Sequence, residues 1–158
     1  MKFIHSVLRV ALFALAASLP AITVVAQEKK ITAKDVPAAV MSAFKTAYPN
    51  ATIRGYAREK EHGKVYYEIE SREGTMMRDV LYNPDGTVAE IEESVAATDL
   101  PAEVQQAIKG KYQGAVITKA EKTTAGDKVS YEVVARQGKR RVTMEVDSNG
   151  KVLSSRIR

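Results

Sequence analysis

The sequence predicts an α+β fold made of two tandem modules, each a helix packed on a four-stranded antiparallel sheet. The segment Asp35–Tyr48, DVPAAVMSAFKTAY, returns sixty-four residues later as Asp99–Tyr112, DLPAEVQQAIKGKY. After each copy the apolar period changes from that of a helix to that of a strand. Asp-Gly and Asn-Gly pairs, typical of hairpins, then follow at matching places. We therefore expect one module at residues 35–94 and the second at 95–158.

Residues 1–26 have the pattern of a secretory signal peptide. Lys2 and Arg9 give a basic start, an apolar run follows, and small residues precede an expected cleavage near Ala26. The apolar run is shorter than the roughly 20 residues that a spanning helix needs, so no membrane span is expected after cleavage. The mature protein is predicted to be periplasmic or secreted. Residues 27–34 show no periodicity and are predicted to be a flexible lead-in.

Charge and cysteine content narrow the class of protein. The 158-residue chain has no cysteine, so an exported protein of this sequence depends on its buried core rather than on disulfides. Removal of the signal segment lowers the formal net charge from +5 to +3. Residues 27–94 carry ten basic and twelve acidic side chains, and residues 95–158 carry twelve and seven. The second module is therefore the basic one.

Each predicted helix has one apolar face. In the first helix Pro37 lies in the first turn, where its missing N–H costs least, and Val40 and Phe44 belong to an apolar stripe at helical spacing. Asn50 and Gly114 follow the two helices at matching places and tolerate the left-handed conformation that ends a helix. The stripes are predicted to pack on the sheet.

Alternating side chains predict which face of each strand is buried. The residues expected to face the first helix are Val65, Tyr67 and Ile69. Tyr66 and Glu68, which alternate with them, are expected to face away. Tyr56 is expected to join them on the outward face, because Ile53 on the same strand has the opposite parity.

The outward face of the first module is the candidate partner-binding surface. Its members are Tyr56, Tyr66, Met77, Leu81, Arg54 and Glu68. Exposed aromatic and methionine side chains rimmed by arginine are enriched in protein interfaces. The alternatives are that the two modules pack together there, or that a one-residue error in parity turns every side chain over.

A basic cluster in the second module is a candidate anion-binding site. Its members are Lys139, Arg140 and Arg141, together with Arg136, Arg156 and Arg158. An anionic ligand such as a lipid headgroup would suit their charge. The alternative is a solvated strand edge, where basic side chains discourage pairing between sheets. Nucleic acid is not expected as a partner, because no aromatic platform for bases is interleaved with the charges.

The sequence predicts no enzyme, no metal and no cofactor. After signal removal His62 is the only histidine, and it lies in a predicted turn, so neither a nucleophile–base pair nor a zinc site can be assembled. Glu68 and Glu70 point the same way from one strand, as a pair of hydrolytic carboxylates would. Three arginines are expected on the same face: Arg54, Arg58 and Arg78. Ion pairs across the sheet are therefore the simpler interpretation.

The strings VPAAV, YPNA, GKVYYEIE and NPDGTV, repeated as LPAEV, YQGA, DKVSYEVV and DSNGKV, resemble the PepSY-like family of exported, beta-lactamase-inhibitor-like proteins. The resemblance covers residues 35–158. It implies a small periplasmic or secreted α+β module in tandem, whose sheet offers a surface to a protein or to an envelope component. The chain lacks the cysteines of the disulfide-bonded beta-lactamase inhibitors, so anti-lactamase activity is not implied.

The function expected from the sequence is that of a non-catalytic extracytoplasmic binding or inhibitor-like module acting on an exported or envelope protein. The alternative is an envelope sensor or structural protein that binds an anionic ligand through the basic second repeat. Ionic strength distinguishes them, because binding of a polyanion weakens steeply as salt rises and an aromatic-centred protein interface does not.

Overall fold

The computed structural model describes residues 27–158, and the predicted signal peptide lies outside the described residues. Nine antiparallel strands form one sheet in chain order. The strands are β1 (Gln27–Lys30), β2 (Thr52–Glu61), β3 (Lys64–Glu73), β4 (Met76–Tyr82), β5 (Val88–Ser94), β6 (Val116–Ala125), β7 (Lys128–Gln137), β8 (Arg140–Asp147) and β9 (Val152–Ile157). The helices are α1 (Ala38–Ala47) and α2 (Ala102–Lys111), each preceded by a 3-10 turn, at Ala33–Asp35 and Ala97–Asp99.

The predicted pair of modules, each with its own four-stranded sheet, is wrong. β5 pairs with β6, from Ile91 opposite Thr124 to Ser94 opposite Glu121, so both repeats share one continuous sheet. A ninth strand, β1, comes from the segment that was expected to be a flexible lead-in, and it pairs with β2. The alternation of side chains within a strand predicts its two faces but not its neighbours. The order of the strands could therefore not be predicted from the sequence pattern.

The tandem repeat extends to the irregularities of the strands. A bulge interrupts β2 between Ile53 and Gly55, and an equivalent bulge interrupts β6 between Ile117 and Lys119. Bulges also recur in the pairing of β4 with β5 and of β8 with β9. A bulge inserts one unpaired residue and reverses the alternation of the side chains beyond it. Both repeats therefore turn the same residues of their first long strand toward the helix.

A proline starts each helix. Pro37 and Pro101 are the N-cap residues and have extended backbone, with φ −55° and −53°. The helix uses no backbone N–H at this position, so the N–H that proline lacks is not missed. At the other end Tyr48 N–H donates to the carbonyl of Phe44 at 2.8 Å. The helices lie on the same side of the sheet, and each buries its apolar stripe against its own repeat.

Two apolar clusters fill the space between the helices and the sheet. The buried members of the first are Val36, Val40, Phe44, Ile69, Val80 and Tyr82. The buried members of the second are Leu100, Val104, Ile108, Tyr112, Ala120, Tyr131, Val133, Val142, Met144 and Val146. The apolar stripes predicted from helical spacing are thus the buried faces of both helices.

The hairpin glycines of the two repeats touch the helix starts. Gly86 has φ +88°, and a Cβ there would lie 2.8 Å from the carbonyl oxygen of Ala39. Gly150 has φ +84°, and its Cβ would lie 2.9 Å from the carbonyl oxygen of Glu103. The β4–β5 and β8–β9 turns therefore need glycine for the backbone angle and for the close approach to α1 and α2.

Gly86→Ala is expected to lower the free energy of unfolding by about 2–4 kcal/mol, because it adds a steric clash with backbone to the cost of a left-handed alanine. Gly74→Ala is the matched control. Gly74 has φ +60°, but a Cβ added there would meet no atom within 4 Å, so only the conformational cost of about 1 kcal/mol applies. Denaturant titrations measure both values. Equal losses at the two sites would show that the turn does not press on α1.

Candidate functional site

The face of the sheet opposite α1 and α2 is the candidate site, and we call it the helix-free face. It follows from the register and from the alternation of side chains. Its members on β2 to β5 include Ala57, Glu59, Glu61, Lys64, Tyr66, Glu68, Glu70, Arg72, Met77, Asp79, Leu81, Glu90 and Glu92. Its members on β6 to β9 include the acidic and neutral residues Glu121, Thr123, Ser130, Glu132, Val134, Thr143, Glu145 and Ser154, and the basic residues Lys119, Arg136, Arg141 and Arg156.

Carboxylates occupy adjacent strands of this face in two rows. The first row consists of successive Cα partners on β3, β4 and β5: Glu70, Asp79 and Glu92. The second row consists of successive partners on β6, β7 and β8: Glu121, Glu132 and Glu145. Like charges directly opposite each other destabilise a sheet. In the second row the arrangement therefore favours a positively charged group on the face.

The centre of the second row shows this electrostatic cost. Burial raises the pKa of Glu132, the neighbouring Glu121 raises it further, and Lys119 and Arg156 oppose the change. Lys119 Nζ lies 2.7 Å from Glu121 Oε1. Because the folded chain holds the Glu132 proton to a higher pH than the unfolded chain, the stability that this group contributes is lost as the pH rises above its ordinary pKa of 4.5.

The outer carboxylate of the second row is also desolvated. Burial raises the pKa of Glu145, and hydrogen bonds with Ser130 and Ser154 oppose the change. Ser130 Oγ lies 3.4 Å from Glu145 Oε1, whereas Glu145 Oε2 is buried without a hydrogen-bond partner among residues 27–158. A cationic group on the helix-free face would favour the ionised form of this carboxyl.

Four of the predicted partner-binding residues lie on the helix-free face: Tyr66, Met77, Leu81 and Glu68. Met77 is 38% exposed and Tyr66 is partly exposed, so both offer contact area. Leu81 and Glu68 are 7% and 6% exposed and therefore offer little contact area. The orientation that was predicted for Tyr66 and Glu68 is confirmed by the register, and their binding role stays a prediction.

The predicted orientation of Tyr56 is wrong. Tyr56 is the Cα partner of Ile69, which is fully buried on the helix side, and its ring packs against the first core cluster. The cause is the bulge at Arg54, because the extra residue lets Ile53 and Tyr56 point to the same side of the sheet. Arg54 itself is the exposed extra residue of that bulge.

The expectation that Arg58 and Arg78 share a face with the outward glutamates is also wrong. Arg58 is the partner of Tyr67, and Arg78 lies on the helix side. Arg78 Nε donates to Glu93 Oε1 at 2.8 Å, and its guanidinium carbon lies 4.1 Å from the centroid of the Tyr48 ring. Burial lowers the pKa of Arg78, but its hydrogen bonds to Glu93 and Glu73 outweigh burial and raise it.

The predicted anion-binding residues lie around the β7–β8 turn: Lys139, Arg140 and Arg141. All three are exposed. Two arginines that the sequence grouped with them are close by, because Arg141 is the partner of Arg136 on β7 and exchanges backbone hydrogen bonds with Arg158, at 2.9 and 2.8 Å. Three arginines are therefore adjacent at one corner of the sheet.

His62 lies in the β2–β3 turn with φ +48°, and its Nδ1 is 3.7 Å from Glu61 Oε1. Within residues 27–158 no group of three or more histidine, cysteine, aspartate or glutamate side chains is placed to hold a metal ion. Among the helices of that same range, none is long and apolar enough to cross a membrane.

Sequence reasoning missed the carboxylate rows. Glu68, Glu70 and Glu132 could be assigned to the outward face from strand alternation alone. A row exists only where such residues meet across strands, as when Glu132 lies between Glu121 and Glu145. The sequence does show an acidic residue at an outward position on almost every strand. The strand registers are needed to tell which of these residues lie opposite each other.

The fold and the face define a tandem-repeat protein built on one antiparallel sheet, with both helices on one side and a carboxylate-rich surface on the other. The chain belongs to the family described as "Putative beta-lactamase-inhibitor-like, PepSY-like", whose model matches residues 22–78 and 65–154. The family resemblance seen in the repeated strings is thereby confirmed. Among curated proteins, none matches this chain.

Several solved structures share the fold. One, from Bacteroides eggerthii and described under "putative periplasmic proteins", has 17% identity and a TM-score of 0.64, covering 77% of this chain and 88% of its own. A "BLIP-like protein" from Bacteroides fragilis has 22% identity and a TM-score of 0.59, with 77% and 86% covered. A "DUF2874 family protein" from Bacteroides ovatus has 20% identity and a TM-score of 0.60, with 78% and 89% covered.

Proposed function

We propose that this protein is a non-catalytic extracytoplasmic binding module that holds a basic segment of an exported or envelope protein on its helix-free face. The observation that carries the proposal is the carboxylate row across β6–β8, in which Glu132 lies between Glu121 and Glu145. This row is costly in the free protein, because burial raises the pKa of both Glu132 and Glu145, and it becomes favourable when a cation lies over it. Complementary charge also accelerates encounter and selects the partner.

Apolar contact on the same face adds to the charge. Met77 lies two residues from Asp79 on β4, and Tyr66 lies four residues from Glu70 on β3. Aromatic and methionine side chains are enriched in interfaces. An extracytoplasmic location is supported by the signal-like segment 1–26 and by the fold neighbour described under "putative periplasmic proteins". An inhibitor-like role is supported by the family description and by the "BLIP-like" neighbour.

The test compares what the wild-type protein and a face variant, Tyr66→Ser with Met77→Ser, capture from a periplasmic extract. The face variant is expected to keep its melting temperature within a few degrees and to lose the captured protein, because interface side chains contribute to binding without supporting the core. Tyr56→Ser is the matched tyrosine control. It is expected to lower the melting temperature clearly, because Tyr56 packs in the core.

A second variant, Lys139→Glu with Arg141→Glu, separates the proposal from its alternative, because Arg141 is the arginine that contacts both Arg136 and Arg158 in the sheet. If the captured protein is retained by this variant and lost by the face variant, the helix-free face is the binding surface. Retention by both variants would contradict the proposal. Loss only in the basic variant would favour the anionic ligand, and vesicles with phosphatidylglycerol would then bind the wild type at low salt and release it at high salt.

The anionic-ligand function is kept as the second candidate because of one observation. Arg136 on β7, Arg141 on β8 and Arg158, which follows β9, are adjacent. Like charges so placed repel each other, and a lipid phosphate or another anion would relieve the repulsion.

A further inference from the structure

The first strand and the end of the fifth strand occupy equivalent positions in the repeat. Gln27 of β1 is the partner of Lys60 on β2. Ile91 of β5 is the partner of Thr124 on β6, and both residues lie sixty-four positions after their counterparts. That offset is the spacing of the repeat. β1 therefore covers the outer edge of β2 in the way that β5 covers the outer edge of β6.

β9 presents the same kind of edge without a partner. Ile157 pairs with Val142, sixty-four positions after the pair of Glu93 with Arg78. The end of β9 thus corresponds to the part of β5 that accepts β6 on its other side. Within residues 27–158 no strand pairs with the outer edge of β9.

The backbone of β9 is oriented to receive a strand. Arg158 and Arg141 exchange both backbone hydrogen bonds, at 2.8 and 2.9 Å. Because successive residues of an antiparallel strand direct their backbone groups to alternate sides, Ile157 and Ser155 direct theirs to the open edge. Ile157 is also 51% exposed. An edge with open backbone groups and an exposed apolar side chain is a template for strand addition.

β1, by contrast, is held to β2 against like charges. Glu28 lies opposite Glu59, and Lys29 lies opposite Arg58. Lys29 and Arg58 are both exposed, and like charges directly opposite each other destabilise a strand pair. β1 also has only four residues, so few backbone bonds compensate for the repulsion. The outer edge of β2 is therefore covered by a strand that another strand could replace.

We propose that copies of this chain associate head to tail, with the end of β9 of one copy pairing with β2 of the next copy in the place of β1. In that register Arg156 lies opposite Glu59, which is an opposite-charge pair, and Ile157 lies opposite Arg58, where no like charge remains. The donated edge and the receiving edge are different surfaces. Such a heterologous interface does not close as a two-fold dimer and extends into longer chains of copies.

Cysteine pairs test the register directly, because the protein has no cysteine of its own. Ser155→Cys and Lys60→Cys are made separately in the full chain, mixed in equal amounts and oxidised. A disulfide-linked dimer of the two variants is expected, since directly opposed strand residues are close enough to bridge. The double variant is expected to give a ladder of longer species on a non-reducing gel. In the matched control, Lys139→Cys replaces Ser155→Cys and gives only collisional product.

Charge changes test the cause of the association. Arg156→Glu is expected to raise the dissociation constant of self-association by about tenfold, because it places a carboxylate opposite Glu59. Glu28→Lys is also expected to raise it, because β1 then has an opposite charge at that position and is harder to displace. Lys139→Glu makes the same charge change as Arg156→Glu outside the interface and is expected to leave the constant unchanged. Sedimentation over a range of concentrations measures all three.

Several outcomes would overturn the proposal. A Ser155→Cys homodimer as the main product would mean that β9 pairs with β9. Equal losses from Arg156→Glu and Lys139→Glu would mean that general charge, not strand pairing, drives association. A monomer at every concentration, or disulfide formation no higher than in the control, would also exclude it. Thermal melts confirm that each variant is folded, and the altered side chains are at a turn or outside both apolar clusters.

Discussion

Phe44→Ala is expected to lower the free energy of unfolding by about 3–5 kcal/mol, the usual cost of removing a fully buried aromatic side chain. The ring is 1% exposed, packs in the first core cluster and lies 5.3 Å from the Tyr48 ring. Ile108 holds the corresponding place in α2 and is 2% exposed. Ile108→Ala is expected to cost about 2–5 kcal/mol. Denaturant titration followed by circular dichroism measures both losses.

The neighbouring lysines are the controls. Lys45 and Lys109 follow the two core residues on the exposed side of their helices, and alanine at either position is expected to change stability by less than about 0.5 kcal/mol. Because β5 and β6 join the repeats in one sheet, each core variant is expected to shift a single transition. Two separate transitions, or a melt of Phe44→Ala that matches wild type, would contradict this account of the core.

The parts of the fold that depend on local pattern could be predicted from the sequence. Helical spacing places Val40 and Phe44 in the buried stripe, and strand alternation places Ile69 on the helix side. Both assignments depend only on the geometry of one element. The repetition of the pattern after sixty-four residues strengthens each of them, because two copies of one fold bury the same positions.

The parts that depend on contacts between elements could not be predicted. The bulge at Arg54 has no signature in the alternating pattern, and one unpaired residue was enough to turn Tyr56 from the outward face into the core. The joining of β5 to β6 depends on which edge meets which, and a single strand pattern does not contain that information. The carboxylate rows of the candidate site also depend on contacts between strands, so they could not be predicted either.

The two repeats differ in the side chains that they place at Arg78 and at its equivalent position, Val142. It lies on the helix side with its side chain 9% exposed, paired with Glu93 and stacked on Tyr48. In the second repeat the equivalent pair is Val142 opposite Ile157, and Val142 belongs to the apolar cluster. One repeat therefore has a partly buried ion pair where the other has two aliphatic side chains.

Arg78→Ala is expected to lower the free energy of unfolding by about 2–4 kcal/mol, because it leaves Glu93 partly buried without its cation and removes the contact with the Tyr48 ring. The double variant Arg78→Val with Glu93→Ile copies the second repeat and is expected to recover most of the loss, since a well-packed apolar pair replaces a buried ion pair at little net cost. Denaturant titrations of the single and double variants measure the difference.

Arg72→Ala is the matched control for that comparison, because Arg72 is an exposed arginine of β3 outside the first core cluster, and its loss is expected to cost less than about 1 kcal/mol.

The reverse change, Val142→Arg alone, is expected to destabilise the second repeat strongly, because the arginine would face Ile157 instead of a carboxylate. A double variant no more stable than Arg78→Ala would show that the ion pair, together with its stacking on Tyr48, contributes stability that aliphatic packing does not replace. In that case the polar contacts of Arg78, rather than apolar burial, would be the main interaction that holds the end of α1 against β4 and β5.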